Sequence, residues 1–257
     1  MLYDTKTAEL LEYYLGKYNT KDFIPLDPIA IPHSFTLQQD IEIAALFSAL
    51  LAWGQRKTIV SNAKKLMQLM DNAPYAFIKG HTDEDLRSLR NFVHRTFNST
   101  DLLFFIAFLQ DWYLSYDGLE ALFFPAGQNA TAKGALTNFY TTLTSSVYFT
   151  VRTKKHIANP LQNSACKRLN MYLRWMVRRD DKGVDFGLWH SVSPSILMCP
   201  LDVHVENYAR RLGLLIRKQR DWKSVEELTA NLSLYCPEDP VKYDYALFGM
   251  GIEKIIL

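Results

Sequence analysis

The segment from Cys199 to Leu214 combines residue types that serve both chemistry and helix formation. Pro200 interrupts regular structure, and Asp202 follows where a helix N-cap is expected. Apolar residues then recur at helical spacing and predict one buried stripe: Val205, Tyr208, Ala209 and Leu212. A capping carboxylate stabilises a helix by about 1 kcal/mol, and carboxylates also transfer protons or oppose positive charge. From the residues alone, the prediction for Asp202 is a helix cap.

A second concentration of useful side chains lies between Val151 and Lys182. These 32 residues contain nine Lys or Arg and two Asp, a net charge of +7, whereas the whole chain carries +2. Such a segment suits the phosphate backbone of a nucleic acid, and a solvated basic face has the same composition. The candidate phosphate contacts here are Arg152, Lys154, Lys155 and Arg168.

The string from Leu201 to Val205, followed by Arg211-Leu212-Gly213, resembles the pattern V-D-x-H-V-x-R-x-x-x-R-L-G of the helix-hairpin-helix DNA glycosylases. In that superfamily the aspartate is the catalytic acid and caps this helix. The resemblance therefore implies that Asp202 is catalytic.

The stretch from Leu161 to Asn170 takes the register of the superfamily's pattern L-P-G-V-G-x-K-T-A, a hairpin that leads into a helix with a nucleophilic lysine. Lys167 falls on the nucleophile. Asn163 and Ala165 replace both hairpin glycines, and we predict a turn at Asn163, since asparagine tolerates positive φ. The resemblance makes Asn163 a candidate nucleic-acid contact. The interval from Lys167 to Asp202 is 35 residues. It is longer than in endonuclease III-like enzymes and closer to the archaeal 8-oxoguanine glycosylases, which have a diverged hairpin.

A third similarity covers Ala49 to Val60, which resembles the superfamily's entry segment, where a polar residue after a buried helix reaches the gap left by a flipped base. Gln55 and Arg56 occupy that turn and become candidate DNA contacts. Trp53 is either a stacking residue or part of the core. The ending from Tyr243 to Gly251 is similar to that of an uncharacterised bacterial protein family.

The resemblance implies a DNA glycosylase and abasic-site lyase of base excision repair, with damaged or abasic DNA as its partner. Lys167 would attack C1′ as a neutral amine, which an apolar helix and the cations Arg168 and Arg174 would favour. Asp202 would stabilise the developing sugar cation. Trp189 is either in the base pocket or in the core. Two alternatives stay open: a non-catalytic nucleic-acid-binding protein on the same scaffold, and a helical interaction protein.

Apolar spacing is helical along nearly the whole chain and predicts an all-α fold, with no strand. Thr36 and Gln39 predict a capping box for a buried helix from Leu37 to Trp53. Ser99 or Thr100 should cap a later helix, and the Gly/Pro/Asn-rich loop 125–130 is the best candidate for a lobe boundary. The glycosylase plan implies one two-lobed helical domain over 1–257, with lobe A at about 37–150 and lobe B at about 1–36 plus 151–257. Gln55, Lys167 and Asp202 should meet in the cleft between them.

Composition narrows the class further. Three cysteines without a C-x-x-C pair argue against a disulfide scaffold, a zinc ribbon or an iron–sulfur cluster, and they fit a reducing cytoplasm. We expect no metal and no cofactor, because His190, His204 and Glu206 lack ligand spacing. No Gly-rich phosphate loop, GxSxG elbow or HExxH motif is present. The N-terminus has no signal-peptide pattern and no apolar run could span a bilayer, so we predict a cytoplasmic protein.

Overall fold

A computed structural model describes residues 3–127 and 129–256 of the chain. The backbone divides into two compact units. The first comprises Met1–Ile24, Ala130–Lys133 and Asn159–Leu257, and the second comprises Pro25–Asn129 and Gly134–Ala158. The loop predicted at 125–130 includes Gln128, which lies outside the described residues.

The fold is all-α, as predicted. The first unit contains the following helices: α1 (Thr5–Tyr18), α9 (Lys167–Val177), α10 (Val203–Arg211), α11 (Trp222–Leu232) and α12 (Tyr243–Glu253). Helices α2 to α7 belong to the second unit: α2 (Gln38–Leu51), α3 (Arg56–Leu69), α4 (Pro74–Gly80), α5 (Asp83–Ser88), α6 (Ser99–Trp112) and α7 (Glu120–Phe123). Helix α8 (Ala132–Thr144) enters the second unit at Gly134. Short 3-10 turns connect many of these helices.

The core of the second unit forms around α2, whose residues are buried from Ile41 to Leu51. Phe47 of α2 meets Phe105 of α6 edge to face, with ring centroids 6.1 Å apart. The predicted capping box at the start of α2 is wrong. The N-cap is Leu37, whose apolar side chain cannot form a cap bond, and Gln39 donates to the carbonyl oxygen of Asp117.

A short hairpin, with strands of two residues each, precedes α6 in a region where we predicted no strand. Strands β1 (Val93–His94) and β2 (Phe97–Asn98) pair antiparallel, and they are too short to show a period of two in the sequence. The hairpin also moves the predicted cap of α6 from Ser99 or Thr100 to Asn98. Asn98 accepts a hydrogen bond from the Thr100 backbone N–H at 3.1 Å, and Asp101 completes a capping box.

In the first unit, α12 packs against both α1 and α10. Glycines make the close approach possible. A Cβ atom at Gly249 would lie 2.5 Å from Cε2 of Tyr18, and one at Gly251 would lie 2.8 Å from Nδ1 of His204. Gly251 therefore allows α12 to pack closely against α10, the helix that begins directly after Asp202.

Substituting Gly251 with alanine should therefore destabilise the protein by about 1–3 kcal/mol, because the methyl group forces α10 away from α12. Urea unfolding measures this change. Gly16→Ala is the matched control, since Gly16 lies inside α1 with nothing within 4 Å of an added Cβ. It should stabilise the protein by up to about 1 kcal/mol through helix propensity. Equal stability of Gly251→Ala and the wild type would contradict the packing argument.

Candidate active site

The turn before α9 adopts the left-handed geometry expected of a hairpin, although it contains no glycine. Asn163 has φ 59° and ψ 23°, which confirms the predicted turn at this residue. The second left-handed residue is Cys166, the N-cap of α9, with φ 49°. A non-glycine residue in this region costs about 1–2 kcal/mol. The surrounding contacts must therefore hold Cys166 in place.

Cys166 bonds locally to Ser164, and Asn163 is held by the start of α11. The Asn163 side chain donates to Asp221 at 3.1 Å, and the Trp222 backbone N–H donates to the Asn163 carbonyl at 3.3 Å. Asp221 also caps α11 and forms an ion pair with Arg217, whose guanidinium holds the pKa of that carboxyl well below its usual range. The side-chain amide and the carbonyl of Asn163, our candidate nucleic-acid contact, are thus both engaged within the protein.

Asp202 is the N-cap of α10, as predicted. Its Oδ1 accepts a hydrogen bond from the Val205 backbone N–H at 2.9 Å, and of the predicted stripe Val205, Tyr208 and Ala209 are buried. The second carboxylate oxygen points toward Lys167, the first residue of α9, with 3.9 Å between Nζ and Oδ2. The structure therefore brings together the two candidate catalytic residues.

The Lys167–Asp202 pair is accessible and loosely held. The two side chains are 33% and 20% exposed. A separation of 3.9 Å exceeds a normal hydrogen bond, so electrostatic attraction holds the pair without a short N–H···O contact. The amine can therefore turn toward another molecule without first breaking a strong bond.

A buried ionic network lies along α9 beyond this pair. Arg174, two turns after Lys167, donates to Asp244 of α12 and to Asp185, the latter at 3.2 Å. Its guanidinium carbon also stacks on the Tyr245 ring, 4.2 Å from the centroid. The pairing with two carboxylates corrects one expectation from the sequence: Arg174 does not present an uncompensated cation to Lys167.

Asp244 is a titratable member of this buried network. Burial raises its pKa to about 7; Arg174 opposes the shift, Asp202 adds to it and Lys167 opposes it. The electrostatic effects of Asp202 and Lys167 place this carboxyl in the same local field as the candidate pair. The sequence signal for a link between the network and the candidate pair was the seven-residue spacing of Lys167 and Arg174. This spacing puts both residues on one face of α9.

We predict that Asp244 gives the protein a distinctive pH dependence. The folded-state pKa lies above the unfolded value, so its contribution to stability is full below pH about 4 and is lost as pH rises through about 7. The free energy of unfolding of the wild type, relative to Asp244→Asn, should therefore fall over this range by a few kcal/mol. Urea titrations at several pH values measure the difference. Asp4→Asn is the control and should give a flat difference, because the pKa of the exposed Asp4 is lowered from 3.8.

The basic segment 151–182 is largely neutralised within the protein. Arg178 is buried and pairs with Asp185 and Asp239, each at 2.9 Å or less. In the second unit, Arg152 pairs with the buried carboxylate of Asp101 and donates to the Thr96 carbonyl. Arginines at these positions stabilise the fold and do not form a free phosphate-binding face.

Asp101 organises a cluster that the sequence analysis missed. Thr153 donates to it at 3.0 Å and the His156 Nε2 lies 3.3 Å away. Burial opposes ionisation of Asp101, but hydrogen bonds from Arg152 and from the Asn98 backbone lower its pKa overall. Lys154 and Lys155, by contrast, are exposed and can meet an external phosphate.

The remaining candidates have simpler surroundings. Gln55 is exposed at the N-cap of α3 and makes no side-chain cap bond, and Arg56 is half-buried in the first turn. Arg168 is half-buried beside Lys167. The Arg95 guanidinium lies over the Trp53 ring, 4.6 Å from its centroid. Trp189 is fully buried against Tyr172 and belongs to the core.

The fold and the site together define an all-α protein with a partly exposed lysine–aspartate pair at the meeting of two helix starts. The chain belongs to the family described as protein of unknown function (DUF2400), which matches residues 27–253 and so includes the whole site. No curated protein and no solved structure matches the chain significantly. Within the described residues, no group of three or more His, Cys, Asp or Glu side chains is placed to hold a metal ion. None of the helices in residues 3–127 and 129–256 is both long and apolar enough to cross a membrane.

Proposed function

We propose that this protein is a DNA glycosylase and abasic-site lyase, with Lys167 as nucleophile and Asp202 as the acidic partner. One observation carries the proposal. The Lys167 amine lies 3.9 Å from the Asp202 carboxylate, although the two residues are 35 positions apart in the sequence. Both side chains are exposed enough to meet a substrate.

Two local features support a scaffold of the helix-hairpin-helix glycosylase type. The turn before α9 has left-handed residues at Asn163 and Cys166. Asp202 is the N-cap of α10. We further propose that the two units correspond to the two lobes of that plan. The position of Gln55 relative to Lys167 stays a prediction, since Gln55 belongs to the other unit.

The proposed reaction needs an extruded nucleotide, which costs a few kcal/mol in duplex DNA. The lone pair of the Lys167 amine forms a bond to C1′ while the C1′–N bond to the base breaks, and the base leaves with that electron pair and takes a proton from solvent. The ring oxygen O4′ then departs with the C1′–O4′ electron pair and becomes a hydroxyl by taking the proton that the amine gave to Asp202. The nitrogen lone pair forms a protonated imine between C1′ and Nζ. Loss of a C2′ proton expels the 3′ phosphate by β-elimination.

Asp202 contributes at two points of this scheme. Its negative charge stabilises the positive charge that develops on the sugar as the base departs. It also accepts the proton that the amine releases on bond formation. Its Oδ1 is fixed by the Val205 N–H, so Oδ2 is the oxygen available for both tasks.

Borohydride trapping tests the proposed function directly. Wild-type protein incubated with a duplex that contains one abasic site should form a covalent protein–DNA adduct, because borohydride reduces the imine to a stable amine. Peptide mapping should locate the adduct at Lys167, and an intact duplex of the same sequence should give none. Binding without an adduct, and without base release from oxidised, alkylated or deaminated lesions, would identify a non-catalytic nucleic-acid-binding protein instead.

A further inference from the structure

A second basic segment runs from the end of α10 to the start of α11. Residues 210–223 contain six Lys or Arg and one Asp: Arg210, Arg211, Arg217, Lys218, Arg220, Lys223 and Asp221. Part of this charge lies at the surface, since the Arg220 side chain is 46% exposed and Lys218 is exposed. The segment therefore presents a cationic surface to solvent.

This segment lines a shallow, open surface cavity of about 520 Å³. Its lining consists of Arg210, Gly213, Leu215, Ile216 and Lys218. Cavities of 300–1,000 Å³ are of the size that holds a small-molecule group. A cavity lined by cationic and aliphatic side chains suits one phosphate with its sugar.

Internal contacts hold the cationic groups in place without cancelling their charge. Glu206 of α10 is buried and pairs with both Arg210 and Arg220, so these three side chains keep a net positive charge. Arg210 also donates to the Ile216 carbonyl at 3.3 Å, which fixes the loop across the cavity. Within the described part of the chain, Lys218 has no ion-pair partner.

The cavity segment is tied to the candidate active site at both ends. It follows α10, the helix that Asp202 caps, and it ends at Asp221, which pairs with Ser164 in the turn before Lys167. Arg217 pairs with Asp221 at 2.5 Å and so connects the loop to that turn. A ligand in the cavity thus contacts a segment that is continuous with the supports of both Lys167 and Asp202.

We propose that this cavity binds a backbone phosphate of the nucleic-acid strand on which Lys167 acts, with Lys218 as the contacting cation. The inference rests on the proposed function. It assigns a phosphate contact to the segment after α10 and not to Asn163. In this chain the Asn163 side chain and carbonyl are committed to α11.

Salt-dependent binding of abasic duplex, measured by fluorescence anisotropy, tests the assignment. Loss of one phosphate contact lowers the slope of log K against log salt by about 1. Lys218→Ala should show this change, and Lys218→Glu should weaken binding by about tenfold or more at low salt. Lys6→Ala is the matched control, an exposed lysine in the first turn of α1 that should leave affinity and slope unchanged. Thermal melting confirms that each variant is folded.

The outcomes separate this inference from the proposed function. If Lys218→Ala and Lys218→Glu bind like the wild type with the same slope, the phosphate site is wrong, whatever the trapping result. If the slope falls as expected but the wild type forms no borohydride adduct, the phosphate site stands and the lyase function fails. If the wild type binds neither abasic nor intact duplex, both the phosphate site and the proposed lyase function are overturned.

Discussion

Lys167→Gln is expected to form no borohydride adduct on abasic DNA, a loss of at least about 100-fold relative to the wild type. Glutamine has a similar length but no amine, so the carbon–nitrogen bond to C1′ cannot form. The fold should be unaffected, because a partly exposed ion pair at 3.9 Å contributes at most about 1 kcal/mol. Affinity for abasic DNA should change little, since only one of several positive charges is removed.

Two further variants make the Lys167 result specific. Lys182→Gln removes an exposed lysine that pairs with the neighbouring Asp181, and it should trap like the wild type. Lys167→Arg keeps the positive charge but not the nucleophile, because a guanidinium stays protonated, and it should also fail to trap. Undiminished trapping by Lys167→Gln would assign the nucleophile to another amine.

Asp202→Asn should slow base release by about 100- to 1,000-fold, because it removes the charge that opposes the sugar cation. Asparagine is as good an N-cap as aspartate, so the hydrogen bond from Val205 N–H and the start of α10 should persist. Single-turnover release of a damaged base measures the rate, and anisotropy checks that DNA binding is retained. The rate and not the affinity should therefore change.

Two further N-cap variants separate the catalytic effect of the Asp202 charge from its effect on helix stability. Asp202→Ala loses both the cap and the charge, so it should be as slow as Asp202→Asn and also less stable by about 1 kcal/mol. Asp4→Asn makes the same chemical change at the N-cap of α1, where Asp4 accepts from the Thr7 backbone N–H, and should release base normally. A normal rate for Asp202→Asn would leave Asp202 with the cap alone.

The ionic network of α9 explains how an accessible pair can have a fixed position. Arg174 and Arg178 connect α9 to Asp244 of α12 and to Asp239. Removing one member of a buried pair leaves the other charge uncompensated, which typically costs 3–5 kcal/mol. Lys167 thus projects from a helix whose buried face is held rigidly, while its own partner at 3.9 Å leaves the amine free to move.

Local sequence determined most of the helices and two features of the candidate site. Helical spacing of apolar residues predicted the all-α fold, and the proline before Asp202 marked the start of α10. Asparagine at position 163 predicted a left-handed turn without glycine. These features depend on residues within a few positions of one another, where propensity and hydrogen-bond geometry act directly.

Tertiary structure decided which charges are available. The segment 151–182 looked like a phosphate-binding face, but Arg152 meets Asp101, 51 residues away, and Arg174 meets Asp244, 70 residues away. The same long-range packing set the distance between Lys167 and Asp202 and buried Asp244 behind them. Residue types and local spacing specify which groups can ionise. Whether a charge is paired, buried or free depends on partners far away in the chain, which only the packing of the helices brings into contact.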